Sequence, residues 1–254
     1  MTDMKAVALR ALQSLDLTNL NDVCDEADID ALCSRAITPH GSVAAICIWP
    51  QFVAHARGVI ADRGVKIATV VNFPCGDRPA GEVIAMTETA VADGADEIDM
   101  VIPYRDFLEG LEEKVLTRIR RVKQAAGTGV RVKAILETGV LDEPERIRRA
   151  ADLAIEAGAD FIKTSTGKVP VNATLSSARI MLEAIRDSGA NVGFKPAGGV
   201  KNTEQAGHYL GLADEIMGED WATPVTFRFG ASGVLDDLLA VLNDKAAPVE
   251  REGY

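Results

Sequence analysis

The stretch EPERIRRAADLAIEAGADFIKTSTGK, residues 143–168, contains the repeating unit that decides the fold. In its first half Ile147, Ala150 and Ala154 fall on one side of a helix and the arginines on the other, which indicates an amphipathic helix. The glycine that follows suits a helix C-terminus, and the run Asp-Phe-Ile-Lys after it indicates a buried strand. One stretch thus contains a helix, a tight joint, a strand and a glycine-containing loop in that order.

The same alternation recurs along the chain. A second Gly-Ala-Asp joint, residues 94–96, precedes another apolar strand, and longer helical patterns separate the strand-like runs. Regular alternation implies parallel pairing with right-handed crossovers, and eight such units close into a barrel. The sequence therefore predicts an α/β fold, a (β/α)8 TIM barrel. The eight predicted strands are 15–18, 44–49, 66–71, 97–102, 130–136, 160–163, 192–195 and 226–229.

The domain organisation follows from uniform composition. No linker, low-complexity stretch or composition break divides the 254 residues, so we expect one domain, 1–254. An amphipathic segment within residues 1–14 predicts an extra N-terminal helix in front of the barrel. The polar residues 246–254 are typical of a mobile C-terminal tail.

Charge and cysteine content exclude several classes of partner. The formal net charge is −11 and the sequence pI about 4.8, so the molecular field repels nucleic acid and anionic lipid. The four cysteines have no CxxC spacing, the first twenty residues lack a cleavable apolar core, and the apolar run 43–49 is too short for a bilayer. We expect a cytoplasmic protein without nucleic acid or membrane partners, whose anionic substrate would need a local cationic pocket.

Charged side chains fall on one face of several predicted strands. Asp99 alternates with the apolar Ile98 and Met100, and the lysines of three later strands alternate with apolar residues in the same way. When the apolar neighbours face the helices, the charged side chains face the barrel axis, near the strand ends where barrel enzymes carry their chemistry. The predicted cluster consists of Asp16, Asp99, Lys133, Lys163 and Lys195.

Two lysines of this cluster predict amine chemistry. A lysine is a nucleophile only when neutral, and burial together with a second cation lowers its pKa from about 10.4. Lys163 and Lys195 form such a pair, in which one amine could condense with a carbonyl while Asp99 transfers protons. The resulting imine would accept electrons from a breaking carbon–carbon bond, so no cofactor is needed.

A metal-dependent alternative finds no support in the sequence. The histidines His40, His55 and His208 are scattered and have no ligand spacing with one another or with the cysteines. A zinc-dependent aldol mechanism therefore has no visible ligand set, and we expect no metal.

Glycine-rich segments follow the last three predicted strands. They are residues 164–168, 197–200 and 230–233, at positions where barrels bind phosphate through backbone N–H groups. Lys168 or Arg228 could supply a counter-charge, although Arg228 could equally be structural. The spacing GxxxxGK[ST] of a P-loop is absent.

Seven ordered stretches that span nearly the whole chain are similar to one enzyme family. They are AAICIWP (44–50), NFPCG (72–76), GADEIDMVIPYR (94–105), KAILETG (133–139), DFIKTSTGK (160–168), GFKPAGGVK (193–201) and FRFGASG (227–233). The chain resembles the deoxyribose-phosphate aldolases. The resemblance implies a metal-free class I aldolase on a TIM barrel that cleaves 2-deoxy-D-ribose 5-phosphate reversibly to D-glyceraldehyde 3-phosphate and acetaldehyde, in deoxynucleoside catabolism.

The resemblance also assigns roles to residues. It implies that Lys163 forms the Schiff base, that Lys195 depresses its pKa and that Asp99 transfers protons. It suggests a homodimer. The residues that it implies around the sugar are Asp16, Thr18, Cys47, Lys133 and Tyr254, and those at the phosphate are Gly167, Lys168, Gly198, Gly199, Ser232 and Gly233.

The chain departs from the family pattern at one position. Close relatives carry two serines where this chain has Ser232 and Gly233, so one phosphate-binding hydroxyl is missing. The departure predicts weaker discrimination in favour of phosphorylated substrates. The terminal Tyr254 matches a tyrosine that ends some relatives and assists proton abstraction.

Two other interpretations of the sequence stay open. In the first, the chain is a phosphate-binding barrel without aldol chemistry, in which the lysines only neutralise an anion. In the second, it is another class I Schiff-base aldolase, such as a transaldolase-like barrel, which would act on ketose phosphates and would not accept acetaldehyde.

Overall fold

Eight parallel strands form one sheet in the computed structural model, which describes residues 3–245. Each of the first six strands pairs with the next along the chain, and the eighth pairs with the first. The predicted eight strands are therefore confirmed in number, order and direction. They are β1 Leu15–Asn19, β2 Ala45–Ile48, β3 Lys66–Val71, β4 Glu97–Val101, β5 Arg131–Ile135, β6 Phe161–Lys163, β7 Gly193–Lys195 and β8 Phe229–Ala231.

The barrel closes between β7 and β8 through single bridges. Phe194 bridges Phe227 and Ala197 bridges Gly230, both in parallel orientation. The amide of Gly230 donates to the carbonyl of Pro196 at 2.9 Å. The TIM-barrel prediction is thereby confirmed.

The predicted position of the last strand, 226–229, was wrong by a few residues. Thr226 belongs to a turn, because its amide donates to the carbonyl of Thr223 at 3.0 Å. The ladder with β1 begins only at Phe229. Hydrogen bonds between threonines stabilise this turn. The β propensity of the individual residues therefore did not predict it.

Helices follow the strands and cover the outside of the barrel. In α8 the stripe anticipated from the sequence is buried, and the arginines on the other side are exposed or half-buried. A short antiparallel ladder between Ile37–Thr38 and Gly41–Ser42 was not anticipated. The helices are α1 Met4–Gln13, α2 Glu26–Arg35, α3 Val53–Ile60, α4 Ala80–Ala92, α5 Tyr104–Leu108, α6 Glu112–Ala126, α7 Thr138–Leu141, α8 Pro144–Glu156, α9 Leu175–Ser188, α10 Thr203–Met217 and α11 Val234–Leu242, with one 3-10 turn at Pro50–Phe52.

The N-terminal helix α1 lies within the segment 1–14 and packs against α10 and α11. Arg10 forms a two-pronged ion pair with Asp214 of α10, with N–O distances of 2.8 and 2.7 Å. The expected tail, 246–254, lies outside the described residues. Within residues 3–245, no helix has both the length and the apolar character that crossing a bilayer requires.

Candidate active site

Seven charged side chains meet inside the barrel, each at most 4% exposed. We call them the charged cluster. The structure brings together all five side chains that the sequence predicted to converge, and adds Glu97 and Arg228. The charged cluster consists of Asp16, Glu97, Asp99, Lys133, Lys163, Lys195 and Arg228.

Strand register explains why these side chains meet. Asp99 of β4 stands beside Lys133 of β5, and Lys163 of β6 stands beside Lys195 of β7. Residues paired in this way project to the same face of the sheet. The interior also needs a small residue at this level, because a Cβ on Gly193 would overlap the ring of Phe161.

Asp99 lies at the centre of the charged cluster. Its Oδ1 accepts a hydrogen bond from Lys133 Nζ at 2.7 Å, and its Oδ2 accepts from Lys163 at 2.8 Å and from Lys195 at 2.7 Å. Burial alone would raise the pKa of this carboxyl, but the three ammonium groups outweigh burial and hold the pKa well below its usual range. Asp99 is therefore ionised at neutral pH.

Lys195 and Lys133 are each compensated by more than one carboxylate. Lys195 Nζ lies 2.5 Å from Asp16 and 2.7 Å from Asp99, while Lys133 Nζ lies 2.6 Å from Glu97 and 2.7 Å from Asp99. Burial opposes both charges, yet the carboxylates outweigh it and raise the pKa of each lysine. Both ammonium groups stay protonated.

Lys163 differs from the other two lysines because, within residues 3–245, it forms an ion pair with Asp99 alone. Burial, reinforced by the charge of Lys195, outweighs that single carboxylate and lowers the pKa of Lys163. Among the described residues the charged cluster joins four cations to three carboxylates. Loss of a proton from Lys163 removes the excess positive charge, so this is the lysine best placed to be a neutral nucleophile.

Arg228 lies inside the barrel wall. Its guanidinium binds Asp16 at 2.6 Å and Glu97 at 2.8 and 3.1 Å, and packs over the ring of Phe161. The structural interpretation of this residue is therefore correct, and its suggested role as a phosphate counter-charge was wrong. Glu97 could have been found from the sequence, because it lies two residues before Asp99 on the same strand face.

Thr18 and Cys47 lie on neighbouring strands beside the charged cluster. They are paired in the register of β1 and β2. The Thr18 hydroxyl donates to the carbonyl of Asp16 at 2.8 Å. Burial raises the pKa of the Cys47 thiol, so the sulfur stays protonated at neutral pH. Roles around a sugar remain predictions for both residues.

The three glycine-rich loops lie side by side at the C-terminal ends of β6, β7 and β8. Ala197 accepts a hydrogen bond from Ala173 at 3.3 Å and donates one to the Thr164 hydroxyl at 3.0 Å. The amide of Gly198 donates to the carbonyl of Gly230 at 3.2 Å. Hydrogen bonds therefore join each of these loops to its neighbour.

Glycines give these loops their shape. Gly167, Gly198 and Gly199 have φ of 84°, 77° and 88°, a left-handed conformation that favours glycine. Ser232 and Gly233 are exposed directly before α11, where the first amides of the helix have no intrahelical acceptor. A phosphate-binding role for these five residues fits their position and remains a prediction.

Lys168 is placed beside the first of these loops. Its Nζ lies 3.4 Å from the exposed carboxylate of Asp22, which follows β1. Its side chain thus bridges two loops at the same end of the barrel. Tyr254, the last residue of the predicted site, lies outside the described residues.

The site also contains a residue that the sequence reasoning missed. Glu137 is fully buried at the C-terminal end of β5, and burial raises the pKa of its carboxyl.

Nearby, the hydroxyls of Thr138 and Ser165 are buried without a hydrogen-bond partner among residues 3–245. Within the same residues, no group of three His, Cys, Asp or Glu side chains could hold a metal ion.

Comparisons with known proteins agree with this geometry. A model described as DeoC/LacD family aldolase matches residues 10–210. The deoxyribose-phosphate aldolase of Agrobacterium fabrum is 55% identical over 251 residues, which cover 98% of this chain and 97% of that protein. An apo structure of a putative deoxyribose-phosphate aldolase from Toxoplasma gondii has a TM-score of 0.87 and 26% identity over 95% of this chain and 98% of that chain. A crystal structure of a putative deoxyribose-phosphate aldolase from Coccidioides immitis has a TM-score of 0.79 and 27% identity over 90% of this chain and 85% of that chain. The chain therefore belongs to the DeoC/LacD family of aldolases.

Proposed function

We propose that the chain catalyses reversible aldol cleavage of 2-deoxy-D-ribose 5-phosphate to D-glyceraldehyde 3-phosphate and acetaldehyde. The observation that carries the proposal is the unequal ion pairing of three buried lysines. Among the described residues Lys163 pairs with a single carboxylate, and its pKa is lowered. The 55% identical Agrobacterium relative supports the choice of substrate.

The first step uses the neutral amine of Lys163. Its lone pair attacks the aldehyde carbon of the open-chain sugar and forms a carbinolamine, which loses water to give a protonated imine. Water loss needs a proton donor, and the protonated Lys195 lies at the same Asp99 oxygen as Lys163. Asp99 keeps both nitrogens near the reacting carbon.

The second step breaks the bond between C2 and C3 of the sugar. A base removes the proton of the C3 hydroxyl, the C2–C3 electron pair moves into the imine, and an enamine and glyceraldehyde phosphate result. The enamine then takes up a proton at C2 and is hydrolysed to acetaldehyde. Asp99, with Lys133 and Lys195 donating to it, is the proton carrier that we propose for these transfers.

The three glycine-rich loops form the proposed phosphate site. Backbone amides at the start of α11 and in left-handed glycine loops are groups that bind phosphate oxygens. Lys168, at the mouth of the same end, supplies the positive charge in this proposal. The overall negative charge of the protein makes such a local cationic group necessary.

Reductive trapping tests the proposal. The protein is treated with acetaldehyde and borohydride, and the alkylated residue is located by peptide mass spectrometry. We expect one dominant adduct, on Lys163, and its loss in Lys163→Met. A protein that binds phosphate but forms no adduct would be the binding barrel of the first alternative. Turnover of ketose phosphates without acetaldehyde acceptance would indicate the transaldolase-like alternative.

Three finer points belong to the same proposal. Tyr254 assists proton abstraction, so its deletion is expected to slow hydrogen exchange at the acetaldehyde methyl group while trapping of Lys163 continues. The chain acts in the cytoplasm, which suits its free cysteine thiols. It forms a homodimer, whereas the Aeropyrum pernix deoxyribose phosphate aldolase is described as a tetramer; light scattering distinguishes the two states.

A further inference from the structure

Glu137 occupies an unusual backbone position at the end of β5. Its φ and ψ are 60° and 57°, in the left-handed region that non-glycine residues seldom adopt. Its side chain is 0% exposed. A strained backbone and a buried carboxylate at the active end of a barrel both oppose folding, and such features persist where the surroundings hold them in place.

The carboxylate of Glu137 is held by one residue of the first glycine-rich loop. Oε2 accepts a hydrogen bond from the Thr166 hydroxyl at 2.6 Å, and Oε1 accepts from the Thr166 amide at 3.2 Å. The same hydroxyl accepts from the amide of Lys168 at 3.0 Å. These bonds form a directed chain from Lys168 through Thr166 to Glu137.

The backbone around Glu137 is joined to the same loop. The amide of Leu136 donates to the carbonyl of Lys163 and that of Thr138 donates to the carbonyl of Thr164, both at 2.9 Å. Further along, Gly139 lies so close to the Val171 carbonyl that a Cβ would overlap it. The end of β5 therefore contacts the loop after β6 at several successive points.

We propose that Glu137 is a positioning residue that fixes the loop 164–168 in the shape that binds the substrate phosphate. In this chain the amide of Thr166 donates to Glu137, and the amide of Lys168 donates to the Thr166 hydroxyl. Gly167, which lies between them and has a left-handed backbone, then faces the ligand. This inference rests on the proposed function, because it assigns a task at the same phosphate site.

The contacts of Glu137 separate its role from that of Asp99. Both carboxylate oxygens bind Thr166, whereas the amine of Lys163 is held by Asp99. Loss of the Glu137 charge should therefore disturb recognition of the phosphate more than formation of the imine. A residue with a merely structural role would affect phosphorylated and unphosphorylated substrates equally.

The test compares two substrates, deoxyribose 5-phosphate and unphosphorylated deoxyribose, by their kcat/KM values. In Glu137→Gln the ratio of the two values should fall about tenfold, since a charge-assisted hydrogen bond to the loop is lost. Thr166→Val removes the hydroxyl at the middle of the same chain and with it the bonds to Glu137 Oε2 and to the Lys168 amide. The double variant should lose no more than the larger single effect. The exposed Glu145, changed to Gln, is the matched control.

The outcomes separate this inference from the proposed function. An unchanged ratio in both single variants, or effects that multiply in the double variant, would overturn the role of Glu137. Where Glu137→Gln does not fold, Thr166→Val carries the test alone. Absence of trapping and cleavage in the unmodified protein would instead refute the proposed function. The role of Glu137 would then be judged by inorganic phosphate, whose dissociation constant should rise about tenfold in Glu137→Gln.

Discussion

The Nζ atoms of Lys163 and Lys195 lie 2.8 and 2.7 Å from one and the same oxygen, Oδ2 of Asp99. Sharing this acceptor brings the two amines within mutual influence, and the remaining contacts make them unequal. Lys195 has a second carboxylate in Asp16 at 2.5 Å, whereas in the described part of the chain Lys163 pairs with Asp99 alone. The proton therefore stays on Lys195, which supports Lys163 as the proposed nucleophile.

Replacing Lys195 by methionine should raise the pKa of Lys163. Three cations would then face three carboxylates, so the excess positive charge that favours deprotonation disappears. At neutral pH the neutral fraction of Lys163 falls about tenfold for each unit by which its pKa rises. We expect a large loss of cleavage activity at pH 7 and a displacement of the pH–activity curve towards alkaline pH.

The measurement is the pH dependence of kcat/KM together with the rate of acetaldehyde trapping by borohydride. Lys245→Met, at an exposed position after α11, serves as the control. A Lys195→Met protein whose activity falls equally at every pH would show that Lys195 acts only as a proton donor and does not tune Lys163.

Asp16 links acid stability to the charged cluster. The carboxyl of Asp16 is fully buried, and burial alone would raise its pKa. The charges of Lys195, Arg228 and Lys133 outweigh burial and lower the pKa below the usual value. A carboxyl with a depressed folded-state pKa contributes stability above its unfolded pKa of about 3.9, and this contribution is lost as the pH falls further.

Asp16→Asn should therefore lower the free energy of unfolding by about 3–5 kcal/mol at pH 7, because its buried cations lose a partner. The difference from the unmodified protein should shrink as the pH falls below about 4. Urea titrations between pH 7 and about 3 measure it, with the exposed Asp62→Asn as control. A difference that is constant over this range would contradict the linkage.

Gly233→Ser supplies the second serine that the family resemblance implies at this position. Gly233 has φ −89° and open space where a Cβ would be, so a serine fits without strain. One added hydrogen bond to phosphate should lower the KM for the phosphorylated substrate about fivefold and leave the value for unphosphorylated deoxyribose less affected. Steady-state kinetics on both substrates test this, with Gly129→Ser, also at an open site, as control. Equal effects on the two substrates would refute a phosphate role.

The strand faces could be predicted from the sequence because side-chain direction in a strand has a strict period of two. Asp99, Lys133 and Lys163 alternate with apolar residues, and the regular βα order fixed which strand ends lie together. Five members of the charged cluster followed from this geometry. The excess of cations and the one ion pair that distinguish Lys163 could not be predicted in this way. They depend on distances between lysines and carboxylates, which no sequence period encodes.

Other features required the closed barrel. Arg228 reaches Asp16 only because the last strand pairs with the first, and its threonine-rich turn displaces that strand from the predicted range. Glu137 was missed because a left-handed glutamate has no sequence signature, and nothing local distinguishes it from a solvated loop residue. Both are consequences of contacts between loops far apart in the chain.

Gly139 allows a final prediction about how the end of β5 supports the chain segment that follows β6. A methyl group at this position would overlap the carbonyl of Val171, and a backbone atom cannot rotate away. Gly139→Ala should therefore lower the free energy of unfolding by about 1–3 kcal/mol and raise the KM for the phosphorylated substrate. Gly211→Ala, at an exposed and open position inside α10, should raise stability by about 1 kcal/mol. Urea denaturation and steady-state kinetics measure both variants. A Gly139→Ala protein as stable and as active as its parent would mean that the two loops are not held in this contact.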